Sequence, residues 1–253
     1  ISNNKLDLTP GNYHYAMRMY YCDGTSTNPI NVYNNFMSIS SGTGTNYGAY
    51  IYGSNYVNFV HNSINLSAGG SSTRGIYVSS GGNIKLLNNN IVSNSYTYYI
   101  SSTGAVVQAD YNNLHSTGGT FAYWSGNQTN LAGLQTTSGK EAHSVSVDPQ
   151  FYGVTDLHIT SPILNDSATP LSYVTEDIDG QPRSTTTPDI GADEFTPAAW
   201  DVIATAIVQP TDPFGPQNTN INVEFSFKNI GLNAITAMTV GFIYNGTLHT
   251  HNW

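Results

Sequence analysis

The chain of 253 residues has few charged side chains and a single cysteine. Lys and Arg together number 7 and Asp and Glu 16, so charged residues make up 9% of the sequence and the formal net charge is −9. Seven dispersed basic residues are too few to neutralise a run of phosphates, which argues against a nucleic-acid partner. Cys22 cannot form a disulfide within the chain, and we interpret it as a small core side chain.

Long apolar stretches are also missing. No segment approaches the roughly 20 apolar residues that span a bilayer, and no cluster of Lys or Arg offers a contact for an anionic membrane surface. The sequence therefore predicts no direct membrane insertion.

Carboxylates are absent from a large part of the first half, because no Asp or Glu occurs from Gly24 to Ala109. A glycosidase needs two carboxylates across the scissile bond, and a calcium-assisted lyase needs a cluster of them. His61 is the only histidine in this stretch, so no metal triad can be built there either. The usual catalytic groups of a carbohydrate-active enzyme are thus missing from these residues.

A repeat fills the same region. An Asn followed two residues later by an apolar residue recurs at positions 4, 34, 62, 89 and 112, with steps of 30, 28, 27 and 23. Between these points lie short alternating segments and turn clusters, namely Gly42-Thr43-Gly44, Gly53-Ser54-Asn55, Gly69-Gly70-Ser71 and Gly81-Gly82-Asn83. Short strands without crossover helices predict a parallel β-solenoid of five coils, in which the repeated Asn side chains bond to one another from coil to coil.

Alternation within the second strand of each coil assigns its side chains to two faces. The inward positions are Met17, Ala49, Ile76 and Tyr98 together with Met19, Ile51, Val78 and Ile100, and the outward column is Arg18, Tyr50, Tyr77 and Tyr99. Two interpretations of the column remain open. The rings either form an aromatic platform that stacks against sugars, or simply reflect the high β propensity of tyrosine.

From about residue 117 the repeat gives way to a segment with different motifs. Asn130 is a good N-cap for a short helix containing Leu131 and Leu134. The motifs that follow are Asp148-Pro149-Gln150-Phe151, Asp156-Leu157-His158-Ile159, Ser161-Pro162-Ile163-Leu164, Asp177-Ile178-Asp179-Gly180-Gln181-Pro182-Arg183 and Pro188-Asp189-Ile190-Gly191-Ala192-Asp193-Glu194.

With these motifs, residues 1–196 resemble secreted bacterial right-handed parallel β-helix proteins, a family that includes polysaccharide-degrading enzymes and non-catalytic surface proteins. The resemblance implies an all-β fold in which the segment from about residue 117 closes the helix. We expect Arg183 to pair with Asp189 or Glu194 and to pin the last coil as a structural cap. The alternative is a calcium ion at Asp177 and Asp179, the only cofactor that the sequence suggests.

Asp166-Ser167-Ala168 is similar to an O-glycosylation motif of a Gram-negative phylum that exports proteins by the type IX route. Ser167 is therefore a candidate glycosylation site, and components of an export machinery are expected partners.

Pro197-Ala198-Ala199 indicates a linker at 197–200, followed by an incomplete module at 201–253. Three strands are predicted there, at 201–210, 220–229 and 235–244, and the alternation of Val223, Phe225 and Phe227 predicts one buried face. The module resembles the opening half of an immunoglobulin-like β-sandwich of the CARDB type, through Asp201-Val202, Lys228-Asn229-Ile230-Gly231 and Tyr244-Asn245-Gly246. A sandwich needs about seven strands and about 100 residues, so we expect this chain to be a piece of a larger protein.

Two functions follow as expectations. The first is a non-catalytic segment of a large secreted protein at the cell surface, a stalk or adhesin that binds a polysaccharide or surface glycan on the tyrosine column. The second is a polysaccharide lyase or glycoside hydrolase whose carboxylates lie in the closing segment or outside this chain.

Overall fold

The computed structural model describes residues 1–8, 13–39, 44–67, 72–209 and 222–253. The chain divides into two compact units, Ile1–Phe195 and Thr196–Trp253, which we call the first and the second unit. The predicted turn cluster Gly69-Gly70-Ser71 lies outside the described residues, as do most of Gly42-Thr43-Gly44 and the start of the predicted strand at Asn220.

The first unit is a parallel β-solenoid, which confirms the predicted all-β fold class. Its first two coils contain β1 (Lys5–Leu8), β2 (Tyr13–Tyr20), β3 (Ile30–Tyr33), β4 (Phe36–Ile39), β5 (Thr45–Tyr52) and β6 (Ser54–Val60). The next two contain β7 (Ser63–Leu66), β8 (Arg74–Val78), β9 (Gly81–Leu87), β10 (Asn90–Ser93), β11 (Tyr96–Ile100) and β12 (Val106–Asp110). β13 (Asn113–Ser116) and β14 (Ala122–Trp124) belong to a fifth coil, so the five predicted coils are four complete ones and a partial one.

Strands at the same position in successive coils pair in parallel and form three sheets. Sheet 1 contains β1, β4, β7, β10 and β13, sheet 2 contains β2, β5, β8, β11 and β14, and sheet 3 contains β3, β6, β9 and β12. β15 (Asn127–Gln128) adds an antiparallel edge to sheet 2.

The interior of the coils is apolar. The predicted inward residues of sheet 2 are all buried, and they join one hydrophobic cluster with residues such as Ile64, Ile84 and Ile91 from the other two sheets. Full burial of an aliphatic side chain contributes about 1.5–3 kcal/mol, so these rows are the main source of stability.

A ladder of asparagines runs beside this core at the corner between sheets 3 and 1. The Oδ1 atom of each ladder residue accepts hydrogen bonds from the backbone N and side-chain Nδ2 of the ladder residue in the coil before it, as the Asn62 Oδ1 does from Asn35 at 3.2 and 2.8 Å. The ladder residues are Asn4, Asn35, Asn62, Asn89 and Asn112.

One member of the predicted Asn repeat was wrong, because Asn35 rather than Asn34 belongs to the ladder. Asn34 is the corner residue before it, with a φ of 53°, and Met37 rather than Phe36 aligns with Leu6 and Ile64. Two adjacent asparagines precede two adjacent apolar residues here, so the sequence pattern fits both registers.

A bend in sheet 2 requires residues with little or no side chain. A Cβ atom on Gly48 would lie 2.5 Å from Ile64 Cγ2, and one on Gly75 would lie 2.4 Å from both Ile91 Cγ2 and the Thr97 carbonyl oxygen. The two glycines are aligned in neighbouring coils. The bend interrupts the simple alternation of the strands, and it therefore affects which side chains point outward.

The C-terminal end of the coil stack is covered by the predicted short helix, here α1 (Leu131–Ser138). The Asn130 side chain accepts a hydrogen bond from Gly133 N at 2.9 Å, and Gly139 ends the helix with a φ of 65°. Leu134 is fully buried in the main hydrophobic cluster. Residues 117–144 thus close the stack.

Residues 145–195, which we call the strap, do something else. They lie along the side of the coils, where their backbone bonds to corner side chains of successive coils: Val147 to Asn113, Thr169 to Asn88, Gly191 to His61 and Glu176 to Asn34. Apolar strap residues cover the outer face of sheet 1, as Leu157, Ile178 and Ala192 do at Phe36. The expected cap over the last coil is therefore a lateral strap that reaches back to the first two coils.

The second unit contains two antiparallel strand pairs. β16 (Val202–Gln209) pairs with β17 (Glu224–Asn229), and β18 (Thr239–Tyr244) forms a hairpin with β19 (Thr247–Asn252) through Asn245-Gly246. The fourth strand was not predicted. The pairs face each other through Phe225 and Phe242, whose ring centroids are 6.0 Å apart, in the manner of a partial sandwich.

The predicted buried face of the second unit is instead the wall of a cleft of about 650 Å³ lined by Val223, Phe225 and Phe227. Phe227 remains 37% exposed. Across the described parts of both units, no helix has the length and apolarity needed to cross a membrane.

Candidate functional site

The outer surface of sheet 2 carries the predicted column of aromatic residues. Parallel register aligns Arg18, Tyr50, Tyr77 and Tyr99, and extends the column to Tyr123 on β14. The predicted geometry of the column is confirmed. Its rings are half-buried, and the centroid separations are 4.9 Å for Tyr50–Tyr77, 5.1 Å for Tyr77–Tyr99 and 4.6 Å for Tyr99–Tyr123.

A second column lies beside the first and was missed in the sequence. It consists of Tyr15, Tyr47, Arg74 and Tyr96, each three residues before a member of the first column. Strict alternation would place these residues inward, but the bend at Gly48 and Gly75 returns them to the outer face. Glycines at the same place in two repeats were the available signal.

A third, shorter column contains Tyr20 and Tyr52, which stack with centroids 4.8 Å apart and planes 8° from parallel. These two residues follow the first column by two positions, so continued alternation would have predicted them. We call the three columns together the tyrosine face; it comprises Arg18, Arg74 and the tyrosines at 15, 20, 47, 50, 52, 77, 96, 99 and 123.

The two arginines of the tyrosine face lie against its rings. The Arg74 guanidinium carbon is 3.9 Å from the centroid of Tyr99 and 5.0 Å from that of Tyr77, and its Nη1 donates to the Tyr47 hydroxyl at 3.3 Å. Arg18 lies 4.9 Å from the centroid of Tyr20. Such cation–π contacts hold both side chains in place.

The tyrosine face has no negative charge of its own. β2, β5, β8, β11 and β14 contain neither Asp nor Glu. Burial raises the pKa of Tyr47 above its usual value and the neighbouring Arg74 only partly offsets this, so its hydroxyl stays neutral at pH 7. The surface can supply ring faces, phenolic hydroxyls and guanidinium N–H groups, but it offers no carboxylate for acid–base catalysis.

The carboxylates expected to form the cap are engaged in holding the strap together. Arg183 Nη1 donates to Glu194 Oε2 at 3.0 Å, which is one of the two predicted pairs, while Nη2 donates to Asn34 Oδ1 and the Gly191 carbonyl. Asp189 accepts backbone N–H groups of Asp166 and Phe195 instead of pairing with Arg183. Burial raises the pKa of Asp189 to about 7.

The predicted calcium residues are already engaged. Asp177 is fully buried, and its carboxylate accepts backbone N–H groups of Asp179, Gln181 and Glu194. Asp179 pairs with Lys5 at 3.1 Å and with His158 Nε2 at 2.5 Å. The geometry does not bring Asp177 and Asp179 together as ligands of one ion.

A different set of strap side chains converges, and sequence reasoning missed it because its members are up to 35 positions apart. Ligand atoms of His158, Asp179 and Asp193 lie within 4.8 Å of one another, and Asp156 contacts His158 Nδ1. Burial lowers the pKa of His158, but hydrogen bonds to Asp179 and Asp156 outweigh it and leave this pKa above its usual value. These groups could hold a metal ion, but a protonated imidazole and Lys5 already balance much of their charge.

Ser167, the candidate glycosylation site, is half-buried on the strap, and its hydroxyl donates to the carbonyl oxygens of Ile163 and Asn165 at 2.8 and 3.0 Å. No protein-family model, no curated protein and no solved structure matches this chain.

Proposed function

We propose that the first unit binds a polysaccharide on the tyrosine face without cleaving it, as the stalk or adhesive part of a secreted cell-surface protein. One observation carries the proposal. Three columns of stacked tyrosine rings remain uncovered on a sheet without carboxylates, whereas the strap covers the outer face of the neighbouring sheet 1.

A row of half-buried aromatic rings suits a sugar chain. The C–H faces of pyranose rings pack on flat aromatic surfaces, and the phenolic hydroxyls at their edges hydrogen-bond to sugar hydroxyls. Each tyrosine has only two side-chain torsions, and its neighbours already restrict these, so little entropy is lost when a ligand binds. Tyr15 and Tyr47, with parallel rings 4.7 Å apart, illustrate this restriction.

The positions of the carboxylates favour binding over hydrolysis. The buried strap carboxylates of Asp177, Asp189 and Asp193 accept backbone N–H groups, and Glu194 is paired with Arg183. A hydrolase would need two carboxylates facing one open substrate site. The strap uses these groups to fold, and the tyrosine face has none.

The same proposal includes the cellular setting. The resemblance to secreted β-helix proteins and to CARDB-type modules supports a place at the cell surface, with export machinery as a transient partner. Glycosylation at Ser167 within Asp166-Ser167-Ala168 belongs to this proposal. The intact mass of the native protein, before and after chemical deglycosylation, tests that part.

The binding proposal is tested with the triple variant Tyr50→Ser, Tyr77→Ser, Tyr99→Ser on a polysaccharide panel, using affinity electrophoresis or isothermal titration calorimetry. Each lost base or ring stack costs on the order of 1 kcal/mol, so we expect affinity to fall by more than about tenfold. The matched control replaces three exposed tyrosines away from the face, Tyr152, Tyr173 and Tyr244.

Equal loss in both triple variants, or unchanged binding in the first, would contradict the proposal. New reducing ends or unsaturated products during incubation would support the enzyme alternative instead.

A further inference from the structure

We propose that the ligand of the tyrosine face is an acidic polysaccharide, one whose sugars carry carboxylate or sulfate groups. This inference rests on the proposed function and narrows it to a substrate class. The observation that carries it is the state of Arg18 and Arg74, two positive charges held among aromatic rings with no carboxylate partner among the described residues.

Arg74 is the more constrained of the two. Its guanidinium lies over Tyr47, Tyr77 and Tyr99, so the rings occupy its flat side and leave the N–H edge as the remaining binding surface. Of its five N–H donors, Nη1 has a partner in Tyr47, while Nε is buried and has none in the protein. A planar fork with unused donors matches the geometry of a carboxylate or sulfate.

Arg18 repeats this arrangement two coils away. It is exposed, lies near the centroids of Tyr15, Tyr20 and Tyr50, and shares a column with Tyr77 of the Arg74 coil. Strands in neighbouring coils are about 4.8 Å apart, so the two guanidinium groups are separated by roughly 10 Å along the stack. Two fixed charges at this distance can each meet an anionic group of one extended polymer.

The negative net charge of the chain does not oppose this arrangement. In the first unit the carboxylates come from Asp7, Asp23 and the residues from Asp110 onward, none of which lies on β2, β5, β8, β11 or β14. Exposed charges farther away than about 8–10 Å are largely screened at physiological ionic strength. The local surface that a polymer meets is therefore positive.

Two pairs of polymers that differ only in charge test the inference. Polygalacturonate is compared with its methyl ester, and dextran sulfate with dextran, by titration calorimetry on the whole chain. We expect the charged member of at least one pair to bind about tenfold tighter or more, because an arginine–anion hydrogen-bonded pair contributes more than a neutral one.

Variants then locate the effect. Arg74→Gln should lose about tenfold in affinity for the charged polymer, and Arg74→Lys should lose a similar amount, since lysine keeps the charge but not the planar fork. Lys85→Gln is the matched control, because it removes one positive charge from an exposed position on sheet 3. Arg18→Gln should have a smaller effect than Arg74→Gln, as exposed pairs are weaker. Circular dichroism verifies that each variant is folded.

Equal binding of charged and neutral polymers, with loss only in the tyrosine triple variant, would overturn the acidic class and leave the proposed function standing. An equal loss in Lys85→Gln and Arg74→Gln would also overturn it, since this would indicate attraction by net charge alone. No binding to any of the four polymers would overturn the proposed function and this inference together.

Discussion

At the scale of single residues, the asparagine ladder ends on an ionisable group. Asn112, the last ladder asparagine, donates its backbone N–H to Ser144 Oγ and its side-chain N–H to Glu141 Oε2, at 2.8 and 3.0 Å. Glu141 is fully buried, and the hydroxyl of Tyr98 inside the core is close enough for the two groups to interact. Burial raises the pKa of Glu141 to about 7, although hydrogen bonds from Asn112 and Ser144 act in the opposite direction.

This pKa makes the stability of the first unit pH-dependent. The folded state keeps its proton up to about pH 7, whereas the unfolded chain loses it near the usual value of 4.5. The unfolded state therefore binds fewer protons between these values, and the free energy of unfolding falls as pH rises, by roughly 3 kcal/mol from this group. Glu141→Gln, which keeps an acceptor oxygen, should reduce the fall measured by urea denaturation at pH 5 and 8.

Asp189 shares the sign of this shift, so it should preserve part of the slope in the variant. Asp23→Asn, at an exposed carboxylate, serves as the control. An identical slope in wild type and Glu141→Gln would show that Glu141 is not the titrating group.

At the scale of elements, the strap explains why sheet 1 is buried on both of its faces. All four residues of β4, of β7 and of β10 are buried, because the coil interior covers one face and the strap the other. The motifs of the strap were visible in the sequence, and so was the Arg183–Glu194 pair. Its location was not, because the contact from Arg183 to Asn34 spans 149 positions and no local pattern encodes it.

Arg183→Met should loosen the strap while leaving the coils intact. The variant leaves Glu194 without its partner and removes the hydrogen bonds to Asn34 and Gly191, and breaking a buried ion pair costs about 3–5 kcal/mol. In hydrogen-exchange mass spectrometry, amides of residues 145–195 should exchange faster, with little change in β5 and β8.

Lys5→Gln tests the opposite case. Lys5 forms an exposed pair with Asp179 and has a 54% exposed side chain, so its loss should cost less than about 1 kcal/mol. Uniform acceleration across coils and strap in Arg183→Met would indicate that the strap and the coils unfold together.

At the scale of the whole molecule, the solenoid was predictable because each coil repeats the same local pattern. Inward residues, the outward column around Tyr77 and the end helix at Asn130 all followed from short-range periodicity. The second column around Arg74 escaped because a bend alters the alternation, and the clustering of His158 with Asp193 escaped because it depends on long-range folding. In the second unit, β19 lacked the apolar alternation that marked the other strands.

The first unit should fold without the second. All four hydrophobic clusters consist of residues within Ile1–Phe195. A protein comprising residues 1–195 should therefore melt within about 4 °C of the corresponding transition of the whole chain, as a difference of 1 kcal/mol shifts a domain of this size by about 2–4 °C.

Residues 1–144, which lack the strap, provide the comparison. This piece would expose Phe36 and the rest of the outer face of sheet 1, and it should bind a hydrophobic dye and aggregate. A residue 1–195 protein without a cooperative transition would contradict the independence of the first unit.

The equal length of the middle coils has a consequence for the gene. Successive ladder residues from Asn35 to Asn62 and from Asn62 to Asn89 are both separated by 27 positions. An in-frame duplication of 27 codons would therefore insert one whole turn of the helix, with its asparagine and its tyrosines already in register, and only the strap would have to adapt. The length of the binding surface can thus change in steps of one exon-sized unit, without any new fold having to be invented.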